Sequence, residues 1–177
     1  MARNKWVQLT ILAVIIAAAV FTVSSNLSAG SSAPQVMDEA VNFSLYGLDG
    51  ALHELDDYIG KPIIINFWGT FCPPCVREMP LIQSKYEEYA DSGLVVLGIN
   101  LDESTVTINH FTQGMNLTFP ILLDKNVVRK QYGVYEYPTT FFIDEKGVIR
   151  QKIVGEMNEG SLPSHDIDLA IRRLLYG

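Results

Sequence analysis

The chain has 177 residues, 48% hydrophobic and 19% charged, with a formal net charge of −7. This length suits one domain with added segments, and the composition is that of a globular protein. The acidity argues against a nucleic-acid partner, since phosphate binding needs a basic stripe, and two cysteines are too few for a disulfide framework.

Arg3 and Lys5 precede the uncharged stretch WVQLTILAVIIAAAVFTV, residues 6 to 23. As a helix it would span roughly 27 Å, close to the ~30 Å hydrocarbon core of a bilayer. The expectation is a cytoplasmic stub and transmembrane anchor over residues 1–23, single-pass in the cell membrane, with the C-terminal domain outside the cytoplasm. A cleaved secretory signal is the rival reading. Its best small-x-small site is Ser31-Ser32-Ala33, but Pro34 would then follow the cut. Residues 24–35, SSNLSAGSSAPQ, are Ser-rich and uncharged and read as a flexible linker.

The globular domain is expected over 36–177. FSLYGLDGALHEL alternates around Asp49-Gly50, a hairpin signal. PIIINFW, ending at Trp68, is a continuous apolar run and predicts a strand buried on both faces. Met79, Ile82, Tyr86 and Tyr89 then mark one face of a helix, stopped by Ser92-Gly93. LVVLGIN predicts a second buried strand over 94–100. A helix over 103–114, a short strand over 118–124 and a short helix over 125–132 follow. TTFFID and VIRQKIV, joined at Glu145-Lys146-Gly147, predict an antiparallel pair. A final helix is expected from Ser164, with Ile167, Ile171 and Leu174 on its apolar face. Strands alternating with helices, then a hairpin and a last helix, predict an α/β fold with a mixed sheet covered on both faces.

The only cysteines, Cys72 and Cys75, sit in WGTFCPPCVREMP, directly after a buried strand and at the start of a helix. There the unpaired N–H groups and the helix dipole favour an anion, which raises the thiolate population of Cys72. Pro74 suits the first turn, where a missing N–H costs nothing. The spacing lets the two sulfurs join: Cys72 attacks a substrate disulfide and Cys75 resolves the mixed disulfide. Half of a zinc site is a rival, but His53, His110 and His165 have no short-spaced partner. A structural disulfide is another, but so short a loop restrains the unfolded chain little.

INFWGTFCPPC, the following Glu78-Met79-Pro80, and YPTTFFIDEKG resemble the membrane-anchored TlpA/ResA-like thiol-disulfide oxidoreductases of the thioredoxin fold. The resemblance covers roughly Val36 to Tyr176. It implies a thioredoxin-like α/β fold with a mixed central sheet flanked by helices, an N-terminal β-hairpin and a central helix-strand insertion at 103–124. It also implies reduction of disulfides outside the cytoplasm, in apocytochrome c or other envelope and sporulation proteins, with electrons from a thiol-donating membrane protein. No bound cofactor or metal is expected. Thioredoxin's buried aspartate is replaced here by Asn66, which cannot titrate, so the resemblance gives the acid–base role to Glu78, one helical turn after Cys75. It makes Pro138 a cis-proline facing the cysteines, with Tyr137 touching substrate. Trp68, four residues before Cys72, packs beside the substrate groove, in the plain core, or both. Tyr132, Tyr135 and Tyr137 either edge that groove or pack.

Two other functions fit an anchored thioredoxin fold. A copper-delivering chaperone would use three residues between its cysteines and a distant histidine. A peroxiredoxin-like thiol peroxidase would place a threonine three residues before its cysteine, whereas Thr70 lies two before Cys72. A tethered binding module with incidental cysteines is the third alternative.

Overall fold

The computed structural model describes residues 3–27, 33–160 and 165–176, which fall into two compact units, Met1–Ser32 and Ala33–Gly177. The first unit is one helix, α1 (Arg3–Leu27). It continues past Val23, so Ser24 to Leu27, expected as linker, are helical. No Gly or Pro interrupts the chain before Gly30. The rest of the expected linker through Ser32 lies outside the described residues. Side chains of α1 are described for Asn4 and for residues 6 to 18, and Trp6, Leu9, Ile11 and Ile15 among them are exposed. Among the described residues no helix is long and apolar enough to cross a membrane.

The second unit begins at Ala33, slightly before the boundary expected at Val36. Pro34 is buried, and the Gln35 N–H donates to Asp38 at 2.8 Å. The predicted hairpin forms from β1 (Ser44–Tyr46) and β2 (Leu52–Glu54), antiparallel, with Tyr46 opposite Leu52. Its turn needs Gly50, whose φ is 79°, and the Asp49 carboxylate accepts the Ala51 N–H.

The main elements then follow in order: β3 (Ile63–Trp68), α2 (Pro73–Glu88), β4 (Val95–Leu101), α3 (Thr105–Gly114), β5 (Ile121–Asp124), α4 (Val128–Gln131), β6 (Thr139–Ile143), β7 (Ile149–Val154) and α5 (Ile167–Tyr176). β5 starts three residues later than predicted, and α5 begins at Ile167; the expected start at Ser164 lies outside the described residues. The five strands form one mixed sheet in the order β5-β4-β3-β6-β7. β3 pairs parallel with β4 and antiparallel with β6. α3 and β5 form the expected insertion, and β5 extends the sheet beyond β4.

Side chains of β3 alternate between two cores. Ile63, Ile65 and Phe67 face Phe43, Leu55, Val128 and Tyr132, on the side of the hairpin and α4. Ile64 and Trp68 face Met79 and Ile82 of α2, Ile108 of α3 and Ile167 and Ile171 of α5. Asn66 shares this second face, so a polar side chain is aimed at α2 from the middle of the sheet.

Candidate active site

β3 delivers the chain to the site, and residues 69 to 71 turn it into α2. The Cys72 N–H donates to the Gly69 carbonyl at 3.2 Å, closing that turn. Cys72 is the N-cap of α2, in extended backbone, and Pro73 and Pro74 follow in the first turn, where their missing N–H groups leave no helical bond unmade. Cys72 and Cys75 form a disulfide with Cα atoms 5.2 Å apart. The Cys72 sulfur also accepts the Cys75 N–H at 3.3 Å. Cys72 is 7% exposed and Cys75 is fully buried, so the two sulfurs are not equivalent.

Glu78 is buried behind the pair, on the face of α2 turned to the sheet. Its Oε1 accepts from Asn66 Nδ2 at 2.8 Å and its Oε2 from the Met157 N–H at 2.9 Å. Asn66 Nδ2 also donates to the Thr140 hydroxyl at 2.9 Å, and Asn66 and Thr140 are register partners on β3 and β6. Burial pushes the Glu78 carboxyl up to about 7; the two hydrogen bonds oppose that shift, and nearby Glu156 adds to it. A carboxyl in this range can carry or release a proton near neutrality.

The Tyr137–Pro138 bond is cis, and Pro138 is buried. Tyr137 is half-buried and meets Phe71 edge-on, with ring centroids 6.3 Å apart. Phe71 itself is 60% exposed beside Cys72. Of the two places expected for Trp68, the structure gives the core and corrects the groove. Trp68 is fully buried, its ring tilted against Phe111 at 5.2 Å, so it supports the site from beneath and does not line a groove. The reason is its place as the last residue of β3, on the face covered by α2 and α3. The three tyrosines also divide: Tyr132 is core and donates to the Val41 carbonyl, Tyr135 is exposed, and Tyr137 alone borders the cysteines' neighbour Phe71.

Two contributors carry little sequence signal. The Met157 N–H comes from the loop after β7, and a backbone donor has no residue signature. Glu103 lies between β4 and α3 and accepts from the Thr70 N–H at 2.7 Å, the Thr70 hydroxyl and Asn100 Nδ2 at 2.8 Å. Asn66 does have a signal: it is the one polar residue in an otherwise apolar strand.

A cysteine pair that caps a helix, with one cysteine slightly exposed and the other fully buried, on a thioredoxin-like sheet and with a cis-proline, defines a thiol-disulfide oxidoreductase. The chain belongs to the AhpC/TSA family, whose sequence profile matches residues 36–152. It is 41% identical over 158 residues to the thiol-disulfide oxidoreductase ResA of Halalkalibacterium halodurans, spanning 89% of this chain and 90% of that relative. Among solved structures, StoA from Bacillus subtilis superposes with a TM-score of 0.60 at 29% identity, covering 71% of this chain and 93% of StoA. A Chlorobium tepidum protein described as a DsbE-type thiol:disulfide interchange protein superposes with a TM-score of 0.73 at 28% identity, covering 81% of this chain and 99% of that one.

Proposed function

We propose that this protein reduces disulfides in exported proteins, apocytochrome c among them, with Cys72 as nucleophile, Cys75 as resolving thiol and Glu78 as proton acceptor. The asymmetry of the two sulfurs carries this reading: only Cys72 has surface, and a buried carboxyl stands one helical turn beyond Cys75. In the first step the Cys72 thiolate attacks a substrate disulfide, forms the mixed disulfide and releases one substrate thiolate. Cys75 then loses its proton to Glu78 and attacks the Cys72 sulfur. The second substrate thiolate leaves, and the Cys72–Cys75 disulfide forms. Two electrons pass to the substrate, and a thiol-donating membrane protein must return them. Tyr137 and the backbone beside Pro138 border the substrate, because proline leaves no N–H to compete with an incoming extended peptide.

Membrane attachment by α1 belongs to the same proposal. It is supported by the uncharged stretch 6–23, the positive residues before it and the exposed apolar side chains from Trp6 onward. A crossing would need the whole stretch 6–23, of which only the side chains of residues 6 to 18 are among those described, and it would put the C-terminal domain outside the cytoplasm.

A thiol peroxidase reading would need Thr70 to serve the reacting sulfur, but its hydroxyl is committed to Glu103. A peroxide turnover assay separates the two, and a copper titration tests metal delivery. The main test is to trap mixed disulfides with Cys75→Ala in cells and identify what is bound. Exported proteins with paired cysteines are the expected catch; a variant that traps nothing through Cys72 would overturn the reductase reading.

A further inference from the structure

We propose that Glu103 is a positioning residue for disulfide exchange, holding the 69–71 loop and, through it, the Cys72 sulfur. This rests on the oxidoreductase reading of Cys72 and Cys75.

Only three residues separate Trp68 at the end of β3 from Cys72 at the start of α2. Thr70 is the middle one, and both its backbone N–H and its hydroxyl end on the Glu103 carboxylate. That carboxylate is itself fixed by Asn100, a buried residue of β4 that lies in register with Trp68. The nucleophile's loop is thus tied to the neighbouring strand by three hydrogen bonds that converge on one carboxyl group. Phe71, the last loop residue, is mostly exposed and meets one ring, so packing alone does not restrain the loop. The tie comes from the first residues of the α3–β5 insertion, which gives that insertion a role at the cysteines.

The two redox states depend on this tie unequally. In the disulfide state, the S–S bond pins Cys72 whatever Glu103 does. In the dithiol state that pin is gone, and the loop tie limits where the Cys72 sulfur can go. Without it the dithiol gains freedom that must be given up again both to attack a substrate and to close on Cys75. Exchange then slows, and the disulfide becomes less favoured relative to the dithiol, which shifts the reduction potential upward.

The experiment uses the full chain and compares wild type, Glu103→Ala, Glu103→Gln and Thr70→Val. Oxidation of the reduced protein by oxidised glutathione gives the rate, and equilibrium with glutathione gives the potential. Here the glutathione disulfide takes up the two electrons as the Cys72–Cys75 bond forms. Glu103→Ala removes all three bonds and is expected to slow exchange roughly tenfold, a net loss the size of one good hydrogen bond because water can replace part of the set. A matching tenfold change in equilibrium moves the potential up by about 30 mV. Glu103→Gln keeps an acceptor for the Thr70 N–H and should recover both values to within about threefold. Thr70→Val removes only the hydroxyl and should fall between. If Glu103→Ala lowers thermal stability while rate and potential match wild type, Glu103 is a fold element and the proposal is overturned. If Glu103→Ala fails to fold, Glu103→Gln and Thr70→Val decide: both at wild-type rate and potential would overturn it equally. A wild type inert to glutathione disulfide would instead overturn the oxidoreductase reading itself.

Discussion

Asn66 on β3 and Glu78 on α2 are joined by a 2.8 Å hydrogen bond across the interface of sheet and helix, with Asn66 the donor. The pair stands where thioredoxin keeps a buried aspartate on the strand, so the titrating group has moved from sheet to helix and a neutral amide now holds it. Asn66 Nδ2 is held by Glu78 and Thr140, while Asn66 Oδ1 is buried and has no hydrogen-bond partner among the described residues, so a turn of the amide would cost the oxygen no bond once Glu78 is replaced by a donor.

That unpartnered oxygen sets the outcome of Glu78→Gln. The Gln amide cannot accept from both Asn66 and Met157, but a turned Asn66 presents Oδ1 to the new NH2 group while the Thr140 hydroxyl becomes a donor. The variant should therefore fold within about 1 kcal/mol of wild type at low pH. The Glu78 carboxyl is raised from 4.5 to about 7, so the folded chain holds its proton more tightly than the unfolded chain. Its contribution to stability is complete below pH 4.5 and is lost as pH rises through about 7, on the order of 3 kcal/mol in all. Glu78→Gln should flatten that slope in denaturant unfolding measured between pH 4.5 and 8. The pH profile of Cys72 alkylation should lose its feature near 7. Superimposable profiles with equal exchange rates would return Glu78 to a purely structural place.

Cys72 should be the labelled thiol. In the reduced protein, an alkylating agent at limiting concentration should modify Cys72 at least roughly tenfold faster than Cys75, because only Cys72 has surface and the helix start favours its thiolate. Peptide mapping reads the ratio directly, and faster modification of Cys75 would reverse the assigned roles.

The fold is legible in the sequence where pattern and chemistry coincide. The buried run ending at Trp68 and the cysteine pair after it both announce a strand meeting a helix. Trp68 shows the limit of that reading: nearness in sequence to Cys72 suggests a groove, but strand alternation turns its side chain under α2. Glu103 shows another limit. It is thirty-one residues beyond Cys72, in the connection between β4 and α3, and parallel pairing of β3 with β4 is what brings it to Thr70. The helix beyond Val23 was hidden because serine-rich composition suits both a linker and the end of a helix.

The N-terminal reading makes a topological prediction. A tag before Arg3 should be protected from protease in intact spheroplasts, and a tag after Gly177 should be cut. Extraction should need detergent. A mature protein beginning near Ala33 would show cleavage and sink the anchor.

Lys85 should govern how firmly α5 is held. It is 5% exposed near the end of α2, with its amine 2.8 Å from Glu88 and from Glu159 and 3.2 Å from Asp168. Burial alone would lower the amine's pKa, but the three carboxylates outweigh it and raise it. Asp168 opens α5 and is held at about 2, chiefly by the Tyr89 hydroxyl and Arg172 and then by Lys85. A depressed carboxyl contributes stability above its ordinary value of 3.8, and that contribution is lost as pH falls toward 2. Lys85→Met keeps the apolar stem and removes the charge. It should cost roughly 1–2 kcal/mol at pH 7, less than a fully buried ion pair, because Glu88 and Glu159 face solvent. With the cation gone, acid unfolding should begin at a higher pH, and high salt should narrow the difference from wild type. α5 buries Ile167, Ala170 and Ile171, so a loosened α5 should also be cut sooner by trypsin at Arg172 or Arg173. The exchange rate at Cys72 should not change. A Lys85→Met protein with wild-type acid unfolding and wild-type proteolysis would mean that Tyr89 and Arg172 alone suffice to hold Asp168 and the start of α5.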